Sequence, residues 1–446
     1  MGEVAKKYDL TRSMAPFFDI HMLLPILDFL KEVNLYDGRD ITKEKIRSIT
    51  STNMVELIEE EYEKYPDDAE LMAEYAACKE SMEKRKGDIF SRLDNEPEEV
   101  QKVKALFANE VLITELKSTA NLSGEYLGAN LSISSDTLEA YYQYSKFKYE
   151  CGVYEEAATM LGNFLSVVQL QSNSVLGALW GRLACRILQA SWEQSLQDFM
   201  AVKEAIENRN IAPQDQLFQR AWLLHWSLFV FLNQRDGHDA HSDFFSDKYY
   251  LQTLENLCPW MLRYYALSVI VGSKRKDRMM ELLTEIQSLK HVYSDPITEF
   301  IEALFDRFDF DLAQQKLKES QVIVRNDFFM QIHADKFIQE ARLIICEVYC
   351  TINRRVDLSS LAQKLELTEE EAEKWMVDMV QKSTMNATLN ACIDSSGKQV
   401  IMSPPSKVGQ QDVVERTRDL TVRSSMLTSN IDSLLTEQGF YLRNRS

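Results

Sequence analysis

Between Phe337 and Met402 the hydrophobic period changes from that of a helix to that of a strand, and this change restricts the fold more than any other feature. The first helix is predicted from an apolar stripe at three- and four-residue spacing: Ala341, Ile344, Ile345, Val348 and Ile352. A short strand is predicted at Val356, then two more helices. Alternating apolar residues from Leu389 onward, interrupted by a Ser-Ser-Gly turn, predict a closing hairpin. This order of elements is that of a winged helix.

The outward face of the third predicted helix distinguishes DNA recognition from protein docking. This helix begins at Thr368, where Glu371 completes a capping box. Its outward positions are Glu370, Glu373, Lys374, Val377, Asp378 and Gln381. Three carboxylates against one lysine would repel phosphates, so the sequence predicts protein docking and no sequence-specific DNA recognition.

Upstream of this domain, a turn between paired helices recurs. The stretch from Gly152 to Ala157 has the Gly-x-Tyr-x-x-Ala form that joins the two helices of a tetratricopeptide unit, and weaker copies surround Trp192 and Phe310. Because one helical hairpin cannot bury its own apolar face, each hairpin must stack on its neighbour. We therefore predict an all-α dominated chain, in which a right-handed, tetratricopeptide-like solenoid is capped by the winged helix and followed by a long C-terminal helix.

The last predicted helix runs from about Gln410 to Leu435, after a Ser-Pro-Pro-Ser linker. Its apolar stripe has no obvious partner within the chain, so we expect it to join a bundle with helices of other chains. We also expect the two-stranded wing to leave strand edges that pair with another subunit. The residues predicted to form these interfaces are Val400, Met402, Leu420, Leu427, Ile431 and Leu434.

These patterns divide the chain into four segments. We predict an N-terminal helical region over residues 1–118, the solenoid over 119–336, the winged helix over 337–402, and the linker with its C-terminal helix over 403–446. Within the first segment, Pro25 is expected to start a second helix or to kink a continuous one.

Composition indicates which partners and compartments are compatible with the chain. Its net charge of −19 is opposite to that of a free-standing nucleic-acid binder and favours protein partners, leaving a direct RNA contact open. Seven cysteines without a paired framework indicate a reducing compartment, which we take to be the cytoplasm, with a nuclear pool also open. The longest apolar run, residues 221–232, is too short to cross a membrane.

Two groups of residues could carry chemistry. His238 and His241 lie in a polar stretch with Asp236, Asp239 and Asp243 but without a glutamate base at metalloprotease spacing. Cys346 and Cys350 lie one turn apart on the apolar side of a helix, where buried core cysteines are commoner than redox pairs. We predict no catalytic residue, no cofactor and no metal, and keep a hydrolase using His238 and His241 as the alternative from another class.

Helical repeats that run into a winged helix resemble the PCI module, which is shared by subunits of the proteasome lid, the signalosome and translation initiation factor 3. Short strings narrow the resemblance to the e-subunit family of the initiation factor, over nearly the whole chain. These strings begin at Tyr8, Trp222, Asp295, Phe308, Asn326 and Leu367.

This resemblance implies a non-catalytic scaffold subunit of the factor's PCI/MPN core on the small ribosomal subunit, in contact with subunits such as c, d and l. A PCI subunit of the proteasome lid or signalosome is the alternative. The family's wing usually carries Arg and Lys where this chain has Thr388 to Asp394. No electrostatic contact is therefore carried over to this wing.

Overall fold

A computed structural model of the protein describes most of the chain up to residue 357 and parts of the remainder. The described residues are 2–64, 69–119, 124–131, 133–168, 173–209, 212–353, 355–357, 374, 377, 390–394, 399–403, 413, 417–418, 420–428 and 431. The chain divides into two compact units, Met1–Ala341 and Arg342–Ser446. The finer predicted boundaries after residues 118, 336 and 402 stay predictions.

The first unit is built of α-helices. The early helices are α1 Gly2–Lys7, α2 Thr11–Met14, α3 Ile20–Glu32, α4 Gly38–Thr50, α5 Val55–Glu63, α6 Ala69–Asp94, α7 Glu98–Ala108, α8 Glu110–Ser118 and α9 Gly124–Leu131. The later helices are α10 Ser135–Glu150, α11 Tyr154–Val167, α12 Asn173–Leu188, α13 Trp192–Asn208, α14 Pro213–Leu232, α15 Gly237–Phe245, α16 Lys248–Leu257, α17 Leu262–Val271, α18 Arg275–Leu289, α19 Pro296–Phe305 and α20 Phe310–Arg325. A final helix, α21 Ala334–Ile352, continues into the second unit.

Helices that follow one another in the chain pack against one another in space. From α10 to α14 each helix contacts the next, and the same holds from α17 to α20. The buried side chains of α10, α11 and α12 form one core with those of α7, so no hairpin is buried by itself. The predicted helical-repeat solenoid is confirmed.

A left-handed residue ends the first helix of several hairpins. These residues are Asn34, Gly152, Ala190 and Phe308, with φ of 54°, 83°, 54° and 53°. Each stands two residues before an aromatic side chain. At Gly152 the next N–H, from Val153, donates to the carbonyl oxygen of Lys148 at 3.0 Å, as in a Schellman motif. The predicted turns before Tyr154, Trp192 and Phe310 are confirmed.

Pro25 lies inside α3 and does not start a second helix. The helix begins earlier because Asp19 caps it, with its Oδ1 accepting from the N–H of His21 at 3.0 Å. The interpretation of Pro25 as a helix start is therefore wrong, since the cap and the apolar residues on both sides of Pro25 keep one helix continuous.

The second unit contains a three-stranded antiparallel sheet. Its strands are β1 Arg355–Asp357, β2 Asn390–Asp394 and β3 Gln399–Ser403, in the spatial order β1-β3-β2. Val400 lies opposite both Val356 and Ile393, and Met402 lies opposite Ala391. β1 covers the second side of β3, so Val400 does not lie on a free strand edge, and the predicted interface at this residue stays a prediction.

Other features of the predicted winged helix are described only in part. Ala341, Ile344 and Ile345 are buried as expected, but Ile352 at the helix end is 51% exposed, so the predicted stripe stops before it. The two following helices lie outside the described residues, apart from Lys374 and Val377, which are helical and exposed. Among the helices of the described residues, none combines the length and the apolar composition that a membrane-spanning helix needs.

The first prediction concerns two glycines in different backbone conformations. Replacing Gly152, whose φ is +83°, by alanine should lower the free energy of unfolding by about 1–2 kcal/mol, because an L residue is strained there. Gly87 lies within α6, where an added Cβ would meet open space, so Gly87→Ala should raise the free energy by about 0.5–1 kcal/mol. Thermal unfolding of both variants checks the opposite signs; shifts of the same sign would contradict the assignment.

Candidate protein-docking surfaces

The N-terminal segment, residues 8–36, packs along the helical repeats. The ring of Phe17 stacks on that of His225, with centroids 4.3 Å apart and planes at 3°. Trp226 Nε1 donates to the carbonyl oxygen of Phe17 at 3.0 Å, and Phe18 meets Phe229 edge-on at 5.5 Å. These contacts with α14 make the segment part of the first unit's core and remove this side of the helix from any docking surface.

Two tyrosines on either side of the turn at Gly152 also contact the N-terminal segment, at the start of α3. Tyr149 donates its hydroxyl proton to Asp19 at 2.6 Å, and the Tyr154 hydroxyl lies 3.0 Å from His21 Nδ1. Burial, with the charge of Asp19, raises the pKa of Tyr154 to about 12. Tyr154 therefore stays protonated at neutral pH and serves both its own hairpin and the N-terminal segment.

A buried arginine joins the segment to the later repeats. Arg263 is 1% exposed, and its Nε lies 2.8 Å from Asp295 Oδ2. Its Nη1 lies 3.4 Å from Asp327 Oδ2, and its Nη2 donates to the carbonyl oxygen of Tyr8 at 2.8 Å. One guanidinium group on α17 therefore connects the N-terminal segment, the cap of α19 and the turn after α20.

Neighbouring side chains complete this network. The hydroxyl groups of Tyr264 and Tyr293 donate to Asp327 and Asp295, at 2.9 and 2.8 Å. Asp295 Oδ1 also accepts from the N–H of Thr298 at 2.8 Å in the capping box of α19. Each carboxylate thus has several donors, which is what a charge removed from water requires.

Removing the arginine tests this network. Arg263→Met should lower the free energy of unfolding by about 3–5 kcal/mol, because Asp295 and Asp327 would be left buried without their cation. Arg278→Met is the matched control: Arg278 pairs with Asp243 and Glu281 near the surface, so a loss below about 1 kcal/mol is expected. Chemical denaturation of both variants gives the comparison. Equal losses would show that the buried network contributes little.

The C-terminal helical stretch exposes large apolar side chains. Residues 413, 417–418, 420–428 and 431 are helical, and they expose Val413 by 63%, Leu420 by 65%, Met426 by 64%, Leu427 by 61% and Ile431 by 54%. Positions 413, 420, 427 and 431 fall on one face, since seven residues make nearly two turns. We call these four residues the C-terminal stripe. Leu434, also predicted here, lies outside the described residues.

The predicted interface residues therefore fall in two places. Leu420, Leu427 and Ile431 are exposed on one helical face. Val400 and Met402 lie in β3, which is paired on both sides at Val400. In the described part of the sheet, β1 and β2 are the edge strands. Strand order cannot be read from alternation of residues, so the sequence showed the hairpin but not which strand is central.

The two histidines considered as metal ligands have different partners. His241 is fully buried, with Nε2 3.0 Å from the Ser227 hydroxyl and Nδ1 2.8 Å from the Ser268 hydroxyl. His238 Nε2 lies 3.2 Å from Nδ1 of His333, and burial lowers the pKa of His238 to about 4. Among the described residues there is no group of three or more His, Cys, Asp or Glu side chains that could hold a metal ion.

The two cysteines on α21 are both buried, with their Sγ atoms 3.8 Å apart. Their contact and burial raise the pKa of the Cys346 thiol well above its ordinary value. A thiol that stays protonated is a poor nucleophile, so this pair fits core packing better than redox chemistry.

Comparison with known proteins agrees with this architecture. Residues 9–148 match the family described as eIF3 subunit 6 N terminal domain, and residues 314–403 match the PCI domain. A helical-repeat chain that carries a PCI domain defines the class of PCI proteins.

Curated relatives narrow this class. The chain is 32% identical to the E subunit of eukaryotic translation initiation factor 3 from Aspergillus terreus, over 95% of this chain and 94% of that protein. It is 33% identical to the same subunit of the factor from Arabidopsis thaliana, over 97% and 98%. The relative from Yarrowia lipolytica is 32% identical, over 94% and 98%. The chain belongs to the family of the E subunit of eukaryotic translation initiation factor 3.

Proposed function

We propose that this chain is a non-catalytic scaffold subunit of translation initiation factor 3 and acts through protein–protein assembly in the cytoplasm. Within the factor we assign it to the PCI/MPN core that binds the small ribosomal subunit, next to subunits such as c, d and l. The observation that carries the proposal is the C-terminal stripe, whose leucines expose more than half of their surface in a chain related to the factor's E subunit over nearly its whole length.

Helix stability supports an intermolecular role for the stripe. An isolated helix gains little from residue propensity and needs a packed apolar face to persist in water. Burying a leucine or isoleucine side chain contributes about 1.5–3 kcal/mol. Equivalent helices of neighbouring subunits, packed as a bundle, would supply this burial along the whole stripe.

The sheet of the second unit supports an additional contact. An edge strand presents a row of N–H and C=O groups that can pair with another strand. Among the described residues, β2 is the longer edge strand, with five residues against three in β1. We propose that the outer edge of β2 pairs with the sheet of a neighbouring PCI subunit.

The helix proposal is tested by two double substitutions in the full-length chain. Leu420→Glu with Leu427→Glu places charges on the stripe and should reduce co-purification of the other factor subunits at least tenfold, since a tenfold change needs only about 1.4 kcal/mol. Thr421→Glu with Thr428→Glu adds the same charges one position further round the helix and should preserve assembly. Quantitative mass spectrometry of the purified factor measures both.

Both double variants should melt like the wild-type protein, because the substituted side chains are exposed. Deleting residues 407–446 should give the same loss of partners with the first unit still folded. Normal assembly of the leucine variant would show that the stripe is not a docking surface. Co-purification of lid or signalosome subunits instead would favour the alternative complex.

The strand-edge proposal is tested with proline, which removes one N–H. Neighbouring residues of a strand direct their N–H groups to opposite edges, so only one of Ala391→Pro and Cys392→Pro breaks the ladder between β2 and β3. The other should retain wild-type circular dichroism and melting yet lose neighbouring subunits. If the variant that folds normally also assembles normally, β2 does not carry the contact.

A further inference from the structure

A cavity of about 320 Å³ lies within the first unit, beside the N-terminal segment. Its walls come from α3, the end of α12, the start of α13, the end of α14 and the turn after α20. Among the residues that line it, Ile332 is 75% exposed, whereas Ile187 and Leu232 are 4% and 3% exposed. The cavity therefore reaches from the protein surface into the core. We call it the α14 cavity.

The described residues that line the α14 cavity include no charged side chain. Ten of the twelve are apolar, and the other two are the amides Asn233 and Gln331. An ionised ligand would lose its hydration there without gaining a counter-charge. Ordered water needs two to four polar partners, which an apolar wall does not supply. The lining therefore favours an occupant that is neutral and mostly apolar.

Aromatic rings form much of the wall. Phe329 meets Phe229 edge-on at 4.9 Å and Phe328 at 5.0 Å, and Phe29 meets Phe328 edge-on at 5.6 Å. Trp192 adds a further ring at the start of α13. Rings packed edge to face present both faces and edges, and another ring can continue this packing. A flexible aliphatic chain cannot, and it also loses more conformational freedom on binding.

The volume of the α14 cavity indicates the size of its ligand. A dry cavity of about 150 Å³ lined by Leu, Ile and Phe binds one benzene, and the α14 cavity has about twice that volume. It also falls within the range of small-molecule sites, which are mostly apolar with a few polar groups that orient the ligand.

We propose that the α14 cavity binds one small, neutral aromatic molecule with two fused rings, of the size of indole. The rings pack against the phenylalanine wall, and one N–H or O–H of the ligand donates to the amide oxygen of Asn233 or Gln331. This proposal concerns a ligand and not assembly, so it does not depend on the complex to which the chain belongs.

The test titrates indole into the full chain, with ¹³C-methyl labels on isoleucine. Indole should shift the methyl signals of Ile187 and Ile332 in a saturable way, with one site per chain. Indole-3-acetate has the same rings but carries a negative charge at neutral pH, so it should bind more weakly by about tenfold or more. Hexanol is neutral but has no ring, so it too should bind more weakly than indole.

Two variants close the cavity in different ways. Leu188→Trp fills it from the half-buried end of α12, and Ile332→Lys adds a charge at its exposed residue. Each should weaken indole binding by about tenfold or more. Val111→Lys is the matched control, because Val111 of α8 is 78% exposed and lies outside the lining, so binding should stay unchanged. Both lysine variants should melt like the wild-type protein, which separates a loss of binding from a loss of folding.

Equilibrium dialysis of the purified complex distinguishes a free ligand from a side chain of a partner. The complex with the wild-type chain should bind more indole than the complex with Ile332→Lys. Four results would each overturn the proposal: no saturable shift, equal binding of indole and indole-3-acetate, equal binding by wild type and Ile332→Lys, or loss of the indole site on assembly. The last result would show that a partner's side chain fills the cavity.

Discussion

The first unit depends on the buried hydrogen bonds and ion pairs of the Arg263 guanidinium. This group has almost no access to water and bonds to Asp295, Asp327 and the carbonyl oxygen of Tyr8. A buried cation is tolerated only when all its donors are satisfied, so α17, the cap of α19, the turn after α20 and the N-terminal segment must be in place together. The repeats are thereby joined across more than 250 residues of sequence, beyond the nearest-neighbour stacking of a simple solenoid.

The two units differ in where their apolar surface goes. In the first unit the N-terminal segment itself covers the rings of His225 and Phe229 on α14. In the second, Leu420 and Leu427 remain more than half exposed on their helix. This contrast fits a scaffold in which the apolar surface of the repeats is buried within the chain. The apolar face of its C-terminal helix is then buried by other chains. Membership of the initiation factor's E-subunit family is consistent with such a role.

Local features of the fold could be predicted from sequence because they depend on neighbouring residues. Residue type and spacing predict the turn at Gly152, the cap at Asp295 and the apolar stripe through Leu420. Asn34 makes the same kind of turn as Gly152, but without the glycine that marks the motif. The contact of Phe17 with His225 and the central position of β3 join distant segments, and no periodicity records such pairings.

The central claim is that helices of other subunits bury the apolar face of the C-terminal helix, whereas the N-terminal segment buries its own apolar residues within the chain. Hydrogen exchange of the isolated protein and of the assembled factor, followed by mass spectrometry, compares the two directly. We predict that residues 420–428 exchange rapidly in the isolated chain and become strongly protected on assembly, whereas residues 20–32 are protected to the same extent in both. Unchanged exchange of residues 420–428 on assembly would contradict the account.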